Sequence, residues 1–441
     1  MISFINKFMS IFPTITASYI REKWQHAGFQ KYFQNMGWAF SGKIFSLILS
    51  FFVGALVARY LGPEKYGVLN YALSFVTIFA FLSGFGIDNI LVRDLIKNKE
   101  QNENIINTSF VLKLIGGVLV ILVSTISSFI FNDSYTTLLI FIYSLHLLFA
   151  SLSVLDSYFQ SILKYKYGFI GQFISVILVS IFKLILIYNK FGTGWFILAI
   201  VFDTLISSFI LYLIFKNKHG KLKLHFDKQL AKKMLSDSWP FILTGAFFLI
   251  YTKIDQIMIG QMIDTASLGI YSVGVKLAEV WYFIPTIICG VLFPSIVNSK
   301  TTNNELYKER IKKLLFLIIG VSFSVAFFEF IFAKYLVSFI FGSAYLSSVV
   351  VLRIYTWAGI MISIIMVAQQ YLTIENKTKL IMFSSLIGAI TNIILNLIFI
   401  PKFGILGASY ATLISYALIP VIFWSNLKIT TKINTANGKG N

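Results

Sequence analysis

Lys253 and Asp255 stand near the middle of one long apolar stretch, and Lys276 and Glu279 stand three residues apart in the next. That spacing puts Lys276 and Glu279 on one face of a helix. A short turn joins the two stretches, so as helices they lie antiparallel and gather two ammonium groups and two carboxylates at mid-depth. Two chemistries fit the cluster. Mutual neutralisation would lock the helices together and do nothing more. Otherwise the lysines form a cavity wall that binds an anion, and a carboxylate takes up a proton or a cation. A charge at the centre of a bilayer costs about 2.5–3.5 kcal/mol, so each one needs a reason. Lys43 and Arg59, on an earlier stretch, can add positive charge to the same wall, although Lys43 is also within reach of the membrane surface. Asp203 is an isolated carboxylate in a further stretch, free to face a cavity or to pair with a hydroxyl neighbour. The binding candidates are thus Lys253, Lys276, Arg59 and Lys43, and the coupling candidates Asp255, Glu279 and Asp203.

Other polar residues have plainer explanations. Lys113, Lys183 and Arg353 lie within a turn or two of a stretch's end and can extend to the interface; Asp88, Asp156 and Glu329 also lie near ends. His26, His146, His219 and His225 share no metal-ligand spacing, and Cys289 reads as a small buried hydrophobe. No glycine loop followed by Lys-Ser/Thr is present, so no ATPase is built in. The pattern offers no catalytic residue, no metal site and no cofactor; only H⁺ or Na⁺ coupling is open.

The elements that must position these residues are transmembrane helices. The chain has 441 residues, 57% of them hydrophobic and 12% charged, with a mean hydropathy of +0.80. Those values exclude a soluble globular protein. About twelve apolar stretches are long enough to cross a bilayer: 37–60, 66–90, 108–131, 136–158, 168–188, 194–215, 239–262, 270–297, 311–334, 349–372, 379–400 and 405–427. Most Lys and Arg fall in alternate connections, from Lys7 and Arg21 through Arg93, Lys164 and the 216–233 segment to Lys300–Lys313, Lys377 and the tail. By the positive-inside rule both termini are cytoplasmic. The net charge of +19 is a matter of topology and lipid headgroups, not of nucleic acid. Residues 1–36 carry no cleavable signal, and 21–33 read either as an interfacial helix or as a cytoplasmic tail.

The basic segment 217–238 divides the chain into 37–216 and 239–427, with a tail over 428–441. The halves repeat. Arg59-Tyr60-Leu61-Gly62-Pro63-Glu64-Lys65-Tyr66-Gly67 leads into Tyr71, and Gln261-Met262-Ile263-Asp264-Thr265-Ala266-Ser267-Leu268-Gly269 leads into Tyr271. Phe191-Gly192 with Thr204-Leu205-Ile206-Ser207 answers to Phe403-Gly404 with Thr412-Leu413-Ile414-Ser415. The matched pairs stand about two hundred residues apart, as a repeat requires. An even number of spans per half gives a pseudo-two-fold axis along the membrane normal. The expected fold is therefore an all-α polytopic membrane protein, with about twelve helices in two lobes of about six around a central cavity.

The run Ala58-Arg59-Tyr60-Leu61-Gly62-Pro63-Glu64-Lys65-Tyr66-Gly67, followed by Tyr71-Ala72-Leu73-Ser74-Phe75 and Gly84-Phe85-Gly86-Ile87, resembles the opening of bacterial polysaccharide transporters. These are the O-antigen and related lipid-linked oligosaccharide flippases of the multidrug/oligosaccharidyl-lipid/polysaccharide exporter superfamily. Asp255-Gln256-Ile257-Met258-Ile259-Gly260 with Leu268-Gly269-Ile270-Tyr271-Ser272, and Phe341-Gly342-Ser343-Ala344-Tyr345 with Val351-Leu352-Arg353-Ile354, resemble the family's later junctions. The resemblance runs from about Phe33 to Leu427.

It implies movement of undecaprenyl-diphosphate-linked oligosaccharide repeat units from the cytoplasmic to the outer leaflet by alternating access, for surface polysaccharide synthesis. It implies membrane lipids, a polysaccharide polymerase and a chain-length regulator as partners, and basic cavity residues that bind the diphosphate. The position of those residues varies within the superfamily, so that role reaches Lys253 and Lys276 by depth and charge. A drug/cation antiporter of the same superfamily, or a membrane-bound polysaccharide polymerase or ligase, are the competing readings.

Overall fold

The computed structural model describes the backbone of residues 27–437, and side chains over 42–423 apart from Asn89 and Thr301. The readings placed on residues 1–26, including much of the 21–33 segment, lie outside the described residues.

Helices carry the whole architecture. α1 (Ala27–Phe79) is two apolar runs joined at Gly62, whose backbone (φ 71°, ψ 172°) leaves the helix ahead of Pro63. Glycine adopts that positive φ without steric penalty, and Pro63 is pre-set to start the next helix. The second run continues through α2 (Phe81–Gly84) and α3 (Asp88–Lys97). α4 (Asn102–Phe131), α5 (Ser134–Ser144), α6 (His146–Ala150), α7 (Val154–Ser161), α8 (Lys166–Tyr188) and α9 (Thr193–His219) complete the first half. The second half comprises α10 (Lys228–Met262), α11 (Thr265–Glu279), α12 (Phe283–Thr302), α13 (Asn304–Phe341), α14 (Ser348–Ile374), α15 (Thr378–Phe403) and α16 (Ile405–Asn437). Short polar side chains start several of them. Asp227 accepts from the backbone N–H of Gln229 (2.9 Å) and Leu230 (3.0 Å), and Asn303 accepts from Glu305 (2.9 Å) and Leu306 (3.1 Å). These caps satisfy donors that a helix leaves open at its first turn.

Among the described residues, 11 helical stretches are long and apolar enough to cross a membrane. The first, Gly42–Phe79, contains the Gly62 reversal and so holds two crossings, which accounts for the difference from the expected twelve. Contacts with α10 and the start of α11 give the direction of the second run. Gly67 abuts the carbonyl of Thr265, Tyr71 pairs with Gln261 (2.6 Å), Ser74 pairs with Gln256 (2.6 Å), and Gly86 meets Ser238. The partner number falls as the chain number rises, so the second run is antiparallel to α10.

The two halves form lobes of the same plan. In each, the second crossing is broken in mid-course: between α1 and α3 in the first, and at the 3-10 turn Val280–Tyr282 between α11 and α12 in the second. At one end the lobes are clamped together. Gly67 and Gly269 cross backbone to backbone, and a Cβ on either would overlap the opposing main chain at Thr265 or Pro63. Around this crossing the Tyr345 hydroxyl donates to the Ala58 carbonyl (2.8 Å), and Gln261 donates to the Tyr71 hydroxyl and to Asn132 (2.9 Å). Toward the end that carries the basic connections the lobes part on one side only: α12 beyond the 3-10 turn leaves α1 and packs on α13 and α14, whereas α10 stays packed on α2, α3 and α4, with Gly86 against Ser238 and Arg93 3.5 Å from Asp237.

The basic segment between the lobes is more ordered than its composition suggests. α9 runs to His219 and α10 begins at Lys228, so only a short extended piece remains. That piece is strapped to α4: Asn107 accepts from the Lys223 backbone N–H (3.0 Å), Asn104 donates to Asp227 (2.9 Å), and Lys223 pairs with Glu103 (2.8 Å). At the far terminus α16 extends past 427 as helix to Asn437.

Gly67→Val is expected to force the clamped ends apart, because overpacking a backbone crossing costs about 1–3 kcal/mol. Cysteines placed at Glu64 or Ser267 should then react faster with a membrane-impermeant maleimide than in the parent; an unchanged rate would show that the crossing does not hold this end shut.

Candidate functional site

A cavity of about 460 Å³ lies between the lobes, walled by both runs of α1, by α5, and by α10 and α11 with the turn that follows. The first lobe presents neutral groups to it, among them Ser50, Asn70, Ser74, Thr77 and Tyr143. The second presents Lys253, Gln256, Ser272, Lys276 and Glu279. Ser74 bridges the lobes by donating to the Gln256 side-chain oxygen (2.6 Å).

Three of the four members of the cluster read from the sequence meet here. Lys253 is half-buried on the wall, and among the described residues it makes no hydrogen bond and no ion pair within 4.0 Å. Lys276 reaches toward the first lobe, where its ammonium donates to the Tyr66 hydroxyl at 3.4 Å. Glu279 accepts from the Tyr355 hydroxyl at 3.2 Å. The mutual neutralisation considered from the sequence is therefore not the arrangement observed: neither lysine has a carboxylate within ion-pair distance among the described residues.

Asp255 departs from the other three. It is 1% exposed and turned into the second lobe. There it accepts from the Tyr271 hydroxyl, from Thr412 (3.4 Å) and from the Gln256 backbone N–H (2.7 Å). Helix geometry explains the split. Residues three apart, Lys253 and Gln256, share the cavity face, and a residue between them points elsewhere. Asn392 and Asn396, both 0% exposed, extend this buried polar group. The side-chain oxygen of Asn396 has no hydrogen-bond partner there.

The remaining candidates lie apart from the cavity. Arg59 sits at the clamped end, donating to the carbonyls of Ser338 (3.5 Å) and Phe339 at the last turn of α13. A guanidinium there complements the carbonyl-rich end of a helix. Lys43 is exposed on α1 toward the basic end, within electrostatic reach of Asp156. Asp203 takes the hydroxyl-partner alternative: it accepts from Ser175 across α8 and α9. Two residues assigned to the interface are in fact inside a lobe. Lys113 is buried, bonded to Asp88 and to Ser153 (2.8 Å), and Glu329 is buried and accepts from Thr356 (2.6 Å). The wall residues Asn70, Ser74 and Gln256 were not read as site residues because neutral polar residues are common in membrane helices; Ser74 and Gln256 stand in runs that carry the family resemblance, which gave them no role.

A family model described as a polysaccharide biosynthesis protein matches residues 32–300, well over half of the chain. The chain belongs to that family. A second model, MatE, matches residues 240–398, so both halves carry family signatures. The capsular polysaccharide biosynthesis protein CapF of Staphylococcus aureus is 23% identical, with 87% of this chain and 96% of that protein covered. The probable low-salt glycan biosynthesis flippase Agl15 of Haloferax volcanii is 24% identical over 40% of this chain and 38% of that protein. Among solved structures, the lipid II flippase MurJ in an inward closed conformation superposes with a TM-score of 0.69 at 21% identity, covering 88% of this chain and 87% of that one. This member of the polysaccharide biosynthesis protein family therefore has the two-lobed membrane fold of that structure.

The buried group around Asp255 makes a stability prediction. Thr412→Val and Tyr271→Phe each remove a donor from a buried carboxylate and should destabilise the protein by about 1–3 kcal/mol. Thermal unfolding in detergent would register this as a lowered midpoint, whereas Ser50→Ala, on the cavity wall, should leave it nearly unchanged.

Proposed function

We propose that the protein is a flippase of polysaccharide or glycan biosynthesis, not an enzyme, and that it carries a lipid-linked oligosaccharide bearing a diphosphate across the membrane. The observation that supports this most directly is the Lys253 ammonium, without a hydrogen-bond or ion-pair partner among the described residues, on the wall of a mid-membrane cavity that also holds Lys276. A buried charge without a partner is expensive, and an anion that arrives with the substrate supplies one. Hydroxyl and amide groups on the opposite wall suit sugar hydroxyls, and the lipid tail stays in the bilayer while the headgroup passes through the cavity.

In this reading the lobes rock about the central cavity. The present form is closed at the Gly67–Gly269 crossing and parts on the α12 side toward the basic end, which the charge distribution assigns to the cytoplasm. Loading takes place from that side, and the clamped end opens for release. A diphosphate carries about two negative charges, so moving it outward from a negative interior releases roughly 4–5 kcal/mol per 100 mV if no counter-ion moves with it. Lys253 and Lys276 replace part of the headgroup's lost hydration. The buried Asp255, with Thr412 beside it and Asn392 and Asn396 linked on through Thr412, is the seat assigned to a coupled H⁺ or Na⁺. Undecaprenyl is the lipid that the family resemblance favours, and the inner membrane the location. The two lysines against the single Glu279 make the wall a poor host for a cationic drug, which disfavours the antiporter reading.

The test is a deletion strain in which the leaflet location of diphosphate-linked oligosaccharide and the surface polymer are both measured. Repeat units should accumulate on the inner leaflet with loss of surface polymer; wild type should restore both, and Lys253→Ala should restore less than about a tenth of the transport. Units that reach the outer leaflet but stay unpolymerised would favour the polymerase reading instead.

A further inference from the structure

Lys276 belongs to two places at once. Its ammonium lines the cavity, yet its end lies in a notch in the first lobe. A Cβ on Gly54 would stand 2.7 Å from that ammonium, so the absence of a side chain at 54 makes the room it occupies. The notch is completed by Tyr66, which is buried, receives the ammonium's hydrogen bond at 3.4 Å and packs edge-on against Tyr345. Tyr345 in turn bonds Ala58 at the clamped end. A side chain of the second lobe therefore plugs into the first directly beneath the contact that shuts the cavity.

The repeat supplies an internal control. In the register that pairs Gly67 with Gly269, the counterparts of Lys276 and Gly54 are Ser74 and Gln256. These two also touch across the lobes, through a short neutral hydrogen bond of 2.6 Å. The same pair of positions thus makes an interlobe contact twice, once as a satisfied neutral bond and once as a cation held by a distant phenol. The second contact is the weaker one, and it is the one an anion can take apart.

We propose that Lys276, Gly54 and Tyr66 form a latch that substrate phosphate releases, so that loading the cavity favours opening of the clamped end. This rests on the reading of the cavity as an anion site. A phosphate offers the ammonium a charged partner, which is stronger than a neutral hydroxyl at 3.4 Å. With the latch closed, the anion must compete for Lys276; with it open, Lys276 is wholly available. The anion therefore binds the unlatched form more tightly, and a ligand shifts a two-state equilibrium by that differential affinity. Tyr66 and Gly54 act through Lys276 and are positioning residues.

The test uses spin labels at the exposed Lys65 and Lys334, one on each lobe, after the single cysteine Cys289 is replaced by Ala. Distances are read in lipid nanodiscs with farnesyl diphosphate as probe and farnesol as the uncharged control, and binding is measured separately by calorimetry. The diphosphate, but not farnesol, should raise the population with widely separated labels. Tyr66→Phe and Gly54→Ala should raise that population about fivefold without any probe and blunt the response to it. Lys276→Met, which keeps the length of the side chain, should abolish the response. If the diphosphate binds and widens the distance, yet Tyr66→Phe and Gly54→Ala match the parent, the latch is wrong and the transport reading stands. If no diphosphate binds to the parent, both fall together.

Discussion

An ammonium group at mid-membrane needs either water or an anion, and the lobed architecture meets that need for Lys253. Its half-buried place on the wall exists because the lobes part below the Gly67–Gly269 crossing. Filling the gap with packed side chains would strand the charge in a low-dielectric interior, which costs several kcal/mol. Sealing the lobes along their whole length would do the same. The cavity and the divergence of α12 from the first lobe follow from one requirement: two lysines must stay wet where a bilayer would dehydrate them.

The carboxylates meet the same constraint in the opposite way. Asp255 is sealed into the second lobe and surrounded by donors: the Tyr271 hydroxyl, Thr412 and a backbone N–H. Glu279 stays on the wall and has one donor, Tyr355. A buried acid with several donors forms part of the lobe's interior and moves with it as the lobe moves. An acid on the wall changes its surroundings whenever the cavity changes shape. The rings of Tyr271 and Tyr355 stand between the two groups with centroids 6.3 Å apart, so the lobe separates the acids by a layer of aromatic side chains. Under the proposed mechanism, that layer lets an ion at Asp255 and an anion in the cavity be present together without direct competition.

The sequence read well where one coarse variable governs. The helical membrane class and the span number follow from hydropathy, which acts over whole helices. Lys253, Lys276 and Glu279 were legible for the same reason, because no apolar helix carries such residues without cause. Rotation about a helix is finer. Asp255 lies two residues from Lys253 and yet faces another interior, and nothing in an almost wholly apolar stretch fixes which side meets the cavity. Arg59 was misleading in a different way: its charge suggested the wall, but it is seated on the carbonyls that end α13, a helix far away in sequence. The repeat carries two registers: the aligned turns 59–67 and 261–269 pair Gly67 with Gly269, and the tyrosines that follow lie two residues off it. Pairing Tyr71 with Tyr271 by identity conflicts with the backbone crossing, which pairs Gly67 with Gly269 and sets Tyr71 opposite Val273. Tyrosine is common in such helices, whereas a close backbone approach admits little besides glycine, so glycine was the better ruler.

In that register the cavity is symmetric in position and asymmetric in charge. Asn70 answers to Ser272, Leu73 to Val275, Ser74 to Lys276, Thr77 to Glu279 and Phe51 to Lys253, and every one of these residues lines the wall. The repeat thus supplies these five wall positions twice, and charge stands on only one copy. A charged pair on both walls would face like against like across a space of about 460 Å³, and like charges at close range in a low-dielectric setting repel strongly. Confining the ions to one lobe leaves the other wall neutral and able only to hydrogen-bond. A ligand that is anionic at one end and hydroxylated at the other fits such a divided wall in one orientation, phosphate toward α10 and α11 and sugar toward α1. The direction in which a headgroup sits would then be set by which of the two halves carries the lysines.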